Sequence, residues 1–188
     1  LQPPFFDVNA DPAVNYGAIG AVIGHEIGHG FDDQGRKIDA TGAVRDWWTA
    51  EDAKRFEEQA KIFGAQYAAI EAVPGAFINP DLTMGENIAD LAGVSVALDA
   101  YHASLGGNPA PVIDGLTGDQ RFFLAYARSY RGKVREELAR AMLDGDSHAP
   151  NRYRVNGVVR NMDAWYAAFN IQPGDKLYLP PDERVRLW

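Results

Sequence analysis

Two histidines four residues apart, in His25-Glu26-Ile27-Gly28-His29, constrain this 188-residue chain more than any other feature. The pair has a geometric meaning only on an α-helix, where residues i and i+4 share a face and both imidazoles reach one point. The local fold is therefore expected to be helical, and the shared point suits a metal ion. Glu26 completes the H-E-x-x-H pattern, in which two rings bind zinc and the carboxylate acts as general base toward a water. A helix that only binds metal needs no such carboxylate. Glu26 turns a metal site into a candidate for hydrolysis.

The surrounding pattern agrees. Val14, Ala18, Ala21, Val22 and His25 recur at three- and four-residue steps and predict a first helix over 13–31. Gly17, Gly20, Gly24 and Gly28 form a bare stripe along it. Each costs about 1 kcal/mol in a helix interior relative to Ala, so four of them imply close approach of another element beside the metal face. A second helix is expected over about 50–71, opened by Thr49 and Asp52 in a capping-box pattern. Phe56, Ala60, Phe63 and Tyr67 make its apolar seam, and Glu51, Lys54, Glu57, Glu58 and Lys61 its solvated side. Residues 72–84 read as a loop, 84–104 as a third helix, and the segment from Gly106 to Gly115 as a break. Thr117 with Gln120 caps a long fourth helix over 118–143, with Phe122, Phe123, Ala125, Tyr126 and Tyr130 inward and Asp144-Gly145 as its stop. Val155 to Val159 gives a weak strand signal, and 161–169 reads as helical. The expected fold class is mainly α with little strand, in one domain spanning 1–188.

Composition narrows the chemistry. A hydrophobic fraction of 46% is ordinary for a globular chain and too high for a disordered one. A net charge of −8 argues against a phosphate-tracking nucleic-acid binder or a basic membrane-surface helix. With no cysteine there is no disulfide, no thiolate ligand and no cysteine nucleophile, so a zinc site must be built from His and carboxylate. That absence fits a reducing compartment or a bacterial envelope equally well. No secretory leader or membrane span is visible. The start at Leu1 without Met leads to the expectation that an N-terminal portion lies upstream.

A catalytic zinc takes three protein ligands and keeps a fourth position open. The best third candidate lies in Gly85-Glu86-Asn87-Ile88-Ala89-Asp90, where Glu86 and Asp90 share a helix face. One can ligate while the other accepts the outer N–H of a ligating imidazole. Thr83-Met84-Gly85-Glu86 is also a capping-box pattern, and taken alone Glu86 reads as a cap more readily than as a ligand. Ala89, Ala92, Gly93 and Ala97 tip the balance. They give this helix a small-residue side able to meet the glycine stripe, which would gather His25, His29 and Glu86 around one ion.

Three landmarks together, His25-Glu-Ile-Gly-His-Gly-Phe-Asp-Asp-Gln-Gly35, Gly85-Glu-Asn-Ile-Ala-Asp90 and His148-Ala-Pro-Asn-Arg-Tyr-Arg154, resemble those of the neprilysin / endothelin-converting-enzyme family of zinc metallopeptidases. The resemblance runs from Gln2-Pro-Pro-Phe-Phe to the terminal Trp188. It implies a thermolysin-like (zincin) catalytic helical subdomain holding one Zn2+ per chain. His25, His29 and Glu86 would be the ligands and Glu26 the catalytic base. Asp90 and Asp32 would stand behind ligand histidines, His148 would stabilise the oxyanion, and Arg154 would hold substrate main chain. Spacing nominates neither His148 nor Arg154. Asp90 is sometimes described as a proton donor in such enzymes, but its spacing fits an orienting role better.

There are departures from the family pattern. Gly28 stands where members usually carry Ser or Thr, a change that should not touch ligation. Val185 stands where eukaryotic members have a cysteine, which points to a bacterial member. Members are several times longer, are membrane-anchored, secreted or periplasmic, and carry a large helical N-terminal domain over the site. The chain is thus expected to be the C-terminal peptidase portion, with peptide substrate and that N-terminal domain as partners. The first functional reading is a zinc endopeptidase or oligopeptidase. A second is a zinc-stabilised helical module with little turnover on its own. A third is a helical interaction domain with two chance histidines. Apolar surface near the first and third helices, if uncovered, would favour self-association.

Overall fold

The structure, a computed structural model, describes residues 1–187, so Trp188 lies outside the described residues. It is built from helices α1 (Pro12–Asn15), α2 (Ala21–Gly28), α3 (Ala50–Ala68), α4 (Pro80–Ser104), α5 (Gly118–Ser129), α6 (Glu136–Gly145), α7 (Asn151–Val159) and α8 (Asp163–Phe169). A wider π turn, Tyr16–Gly20, joins α1 to α2, and a 3-10 turn, His29–Phe31, follows α2. The first expected helix is therefore present with a bulge and a tightened end. Among the described residues the sheet is one antiparallel pair, β1 (Glu71–Val73) with β2 (Ala76–Phe77). The fold is mainly α, as expected.

Local chemistry explains where the helices begin. Thr49 accepts the Asp52 N–H with its side chain at the start of α3. Thr117 and Gln120 form a reciprocal capping box at α5. Phe56, Phe63 and Tyr67 from α3 meet Ile88, Leu91 and Val94 from α4 and Phe122 and Tyr126 from α5 in one core. α2 lies along α4, small residue against small residue. A Cβ at Gly20 would meet the Ala97 methyl at 3.6 Å, and one at Gly28 would meet the Ala92 methyl at 3.2 Å. Gly20, Gly24 and Gly28 make the close contact with α4 that the stripe implied, while Gly17 closes on the Phe122 backbone of α5.

Four boundaries differ from expectation. The third helix begins at Pro80 rather than near 84, with Asn79 as the cap that accepts the Asp81 N–H. Thr83 therefore does not cap Glu86: it is buried, and its hydroxyl donates to the Asn79 carbonyl at 3.2 Å. The loop expected over 72–84 holds most of the short hairpin as well as the first turn of α4. The helix expected over 118–143 is two helices, α5 and α6, parted at residues 130–135. Gly132 weakens the helix there, and Glu136 and Glu137 favour a fresh N-terminus. Val155 to Val159 is helical, because burying Val158 and Val159 in the core outweighs the strand preference of β-branched residues.

Candidate metal centre

α2 carries His25 and the 3-10 turn that continues it carries His29, with both rings toward α4, which brings Glu86 against them. His25 Nε2 lies 3.1 Å from His29 Nε2 and 3.2 Å from Glu86 Oε2, while His29 Nε2 lies 3.7 Å from the same oxygen. These three donor atoms lie within 4.8 Å of one another, close enough to hold one ion.

The other ring nitrogens are engaged. His25 Nδ1 lies 2.8 Å from Asp90 Oδ1, and His29 Nδ1 lies 2.8 Å from Asp32 Oδ2. Both carboxylates are buried. A carboxylate accepts, so each ring carries its proton on Nδ1, and a neutral ring turns a bare lone pair inward on Nε2. Glu86 Oε2 is buried without a hydrogen bond. The Nε2 lone pairs of the two rings and Glu86 Oε2 thus converge, an arrangement that a cation would suit, with His148 Nε2 at 3.2 Å and Arg154 Nη2 at 3.8 Å beside the Glu86 oxygen. Two imidazoles and a carboxylate are a donor set suited to zinc. Burial pulls the His25 pKa down, but the hydrogen bond and charge of Asp90 outweigh it and the net shift is upward. The same carboxylate would raise the basicity of the ring toward a metal ion.

Asp32 is fixed in turn. Its Oδ1 accepts the backbone N–H groups of Gln34 at 2.8 Å and Gly35 at 2.6 Å, leaving Oδ2 for His29. Asp90 is the busier hub. Arg154 grips it with two N–H groups, Nε to Oδ2 and Nη2 to Oδ1, each at 2.8 Å. His148 sits between α6 and α7 and brings Nε2 to 3.2 Å from Glu86 Oε2. Glu26, next to His25, is exposed and makes no hydrogen bond or ion pair with the described residues.

Of the eight residues singled out, seven (His25, His29, Asp32, Glu86, Asp90, His148 and Arg154) thus fall in one cluster, and Glu26 adjoins it through His25. Two members were not read from the sequence. Asp146 accepts both the backbone N–H of His148 at 2.9 Å and its ring Nδ1 at 2.8 Å, contacts that hold the Asp146 carboxyl below its ordinary pKa. The signal was Asp-x-His, legible only once His148 is in view. Tyr130, which its periodicity assigns to the core, donates to Asp90 Oδ1 at 3.3 Å.

A mainly helical chain with H-E-x-x-H on one helix and a glutamate from a second defines the zincin class of metal centre. The sequence matches peptidase family M13 over residues 1–185, and the chain belongs to that family. It is 41% identical to Neprilysin-1 of Caenorhabditis elegans, covering 100% of this chain and 26% of that protein. It superposes on the crystal structure of zinc metalloprotease ZMP1 of Mycobacterium tuberculosis in complex with inhibitor with a TM-score of 0.97, at 53% identity, covering 100% of this chain and 29% of that one. PEPO from Lactobacillus rhamnosis HN001 gives a TM-score of 0.87 at 43% identity, over 98% of this chain and 28% of that one. The chain spans about a quarter of the length of the curated relatives it matches.

Proposed function

We propose that the chain is the catalytic domain of a zinc-dependent metallopeptidase that hydrolyses peptide bonds of oligopeptides. The observation that carries this reading is the convergence of His25, His29 and Glu86, whose ligand atoms lie within 4.8 Å of one another, with an unpartnered carboxylate on Glu26 alongside. Those three residues would hold the zinc. Bound there, zinc supplies a Lewis acid that lowers the pKa of water to about 7 and polarises a carbonyl.

The rest is work for the side chains of this chain. Glu26 takes the proton of the attacking water and passes it to the leaving amine. His148 offers Nε2–H to the oxyanion as the carbonyl becomes tetrahedral, and losing one such donor typically costs about 10²–10³ in turnover. The contact of ring Nδ1 with Asp146 at 2.8 Å holds the ring with Nε2 turned toward the cluster. Arg154 spends two of its five N–H groups on Asp90 and keeps the others for substrate carbonyl oxygen. Asp90, saturated with donors, orients His25 rather than moving protons.

The test is Glu26→Gln in the full-length protein. Zinc should remain stoichiometric while cleavage of a quenched peptide falls at least about 10²-fold. Unchanged cleavage would sink the reading.

A second reading applies to residues 1–188 in isolation: they bind zinc but turn over little. Ile23 and Ile27, on the helix that carries the motif, are 54% and 62% exposed. We assign this apolar face to the remainder of a longer polypeptide, and alone it favours self-association. Robust hydrolysis by the isolated chain supplied with zinc would exclude the inert reading. A clean monomer by light scattering at high concentration would exclude self-association.

A further inference from the structure

We infer that Tyr130 is a positioning residue for Arg154, one that sets how firmly substrate main chain is gripped; the inference rests on the peptidase reading above. Tyr130 follows α5 directly, at the point where the expected long helix breaks. Its ring lies under the Arg154 guanidinium, with the central carbon 4.9 Å from the ring centroid. Its hydroxyl donates to Asp90 Oδ1 at 3.3 Å, the oxygen that also receives His25 Nδ1 and Arg154 Nη2.

The physical need for this residue follows from what Asp90 cannot do. Two parallel hydrogen bonds fix one edge of a guanidinium but leave it free to rock about that edge. The Tyr130 ring, with the guanidinium carbon over it, restricts that rocking, and its negative quadrupole attracts the cation. The main chain of the same residue is pinned separately: the Tyr126 hydroxyl donates to the Arg154 carbonyl at 2.8 Å, and the Tyr126 ring meets the Tyr130 ring edge to face, with centroids 5.3 Å apart. Arg154 is therefore held at its backbone, along one edge and by the ring beneath it. Its remaining N–H groups are presented in a fixed plane. Preorganisation of that kind acts on substrate binding, because the ordering is complete before substrate arrives.

The experiment uses the full-length protein and a quenched peptide, with Tyr130→Leu, Tyr130→Phe and Glu26→Gln beside the wild type. Tyr130→Leu removes the face and should raise KM about 10-fold, with kcat within about 3-fold and zinc stoichiometry unchanged. Tyr130→Phe keeps the face and loses only the hydroxyl, and should raise KM about 2- to 3-fold. A residue that merely supports the fold would lower the active fraction, and so kcat, without moving KM. Unchanged KM in both variants, or losses confined to kcat or zinc content, overturns the proposal. If Tyr130→Leu fails to fold, Tyr130→Phe decides alone, and a wild-type KM overturns it. If the wild type does not cleave, or Glu26→Gln cleaves equally well, the peptidase reading itself fails and takes this inference with it.

Discussion

Gly24 on α2 and Gly93 on α4 meet backbone to backbone. A Cβ at Gly24 would lie 2.6 Å from the Gly93 carbonyl oxygen, and one at Gly93 would lie 2.4 Å from the His25 backbone nitrogen. Only hydrogen fits on either side, and this contact sets the distance between the two histidines and Glu86. Gly93→Ala should therefore destabilise by about 1–3 kcal/mol through overpacking. It should also weaken zinc binding, because it pushes the ligand helices apart. Urea unfolding and a chelator competition read the two effects, and a variant with wild-type values in both would refute the role given to this contact.

Asp90 joins His25, a proposed zinc ligand, to Arg154 through one buried carboxylate. Asp90→Asn keeps the shape but removes the charge facing both partners. Zinc affinity should fall by about 10- to 100-fold, the usual effect of losing such a support. Competition against a chelator of known affinity measures it. An unchanged constant would mean that His25 is oriented by packing alone.

The capping box at α5 is far from zinc chemistry and serves as a control. Thr117→Ala removes the acceptor for the Gln120 N–H and should cost about 1 kcal/mol. Zinc stoichiometry should not change. A shift in the urea midpoint with intact metal content is the expected result.

Acid sensitivity has one identifiable source at the start of α8. Asp163 accepts from Arg184 at 2.6 Å and also from Arg186, and these contacts hold its carboxyl below the ordinary value. A folded-state pKa below the unfolded one means that the contribution is full above about pH 4 and is lost as pH falls through the folded value. Asp163→Asn should thus lower Tm at neutral pH, and the gap to wild type should close in acid. Half of the Asp163 side chain is exposed, so solvent screening keeps the gap small. A gap that persists unchanged to pH 2 would contradict the assignment.

The site was legible wherever its chemistry is local in sequence. His25 with His29, and Glu86 with Asp90, are i, i+4 pairs, and helix geometry alone puts each pair on one face. The glycine stripe and the Ala89-to-Ala97 side could be matched because each makes little sense without the other. Pairing across distance was not legible. Arg154 meets Asp90 from 64 residues away, and nothing in Asn-Arg-Tyr-Arg distinguishes Arg154 from Arg152 until α7 is folded. Asp146 has the same difficulty, since a carboxylate two residues before a loop histidine is ordinary. The missed boundaries share another cause. Asn79-Pro80 opens a helix as readily as it makes a turn, and the valines of α7 became helical through burial, which local preference does not contain.

The central claim is that His25 Nε2, His29 Nε2 and Glu86 Oε2 together hold one zinc ion. Anomalous diffraction across the zinc edge, from crystals grown with zinc, tests it most directly. The account predicts a single strong peak bonded to those three atoms, and a Glu86→Gln variant with that peak weakened or gone. No peak between them, or a zinc held by other residues, would contradict it.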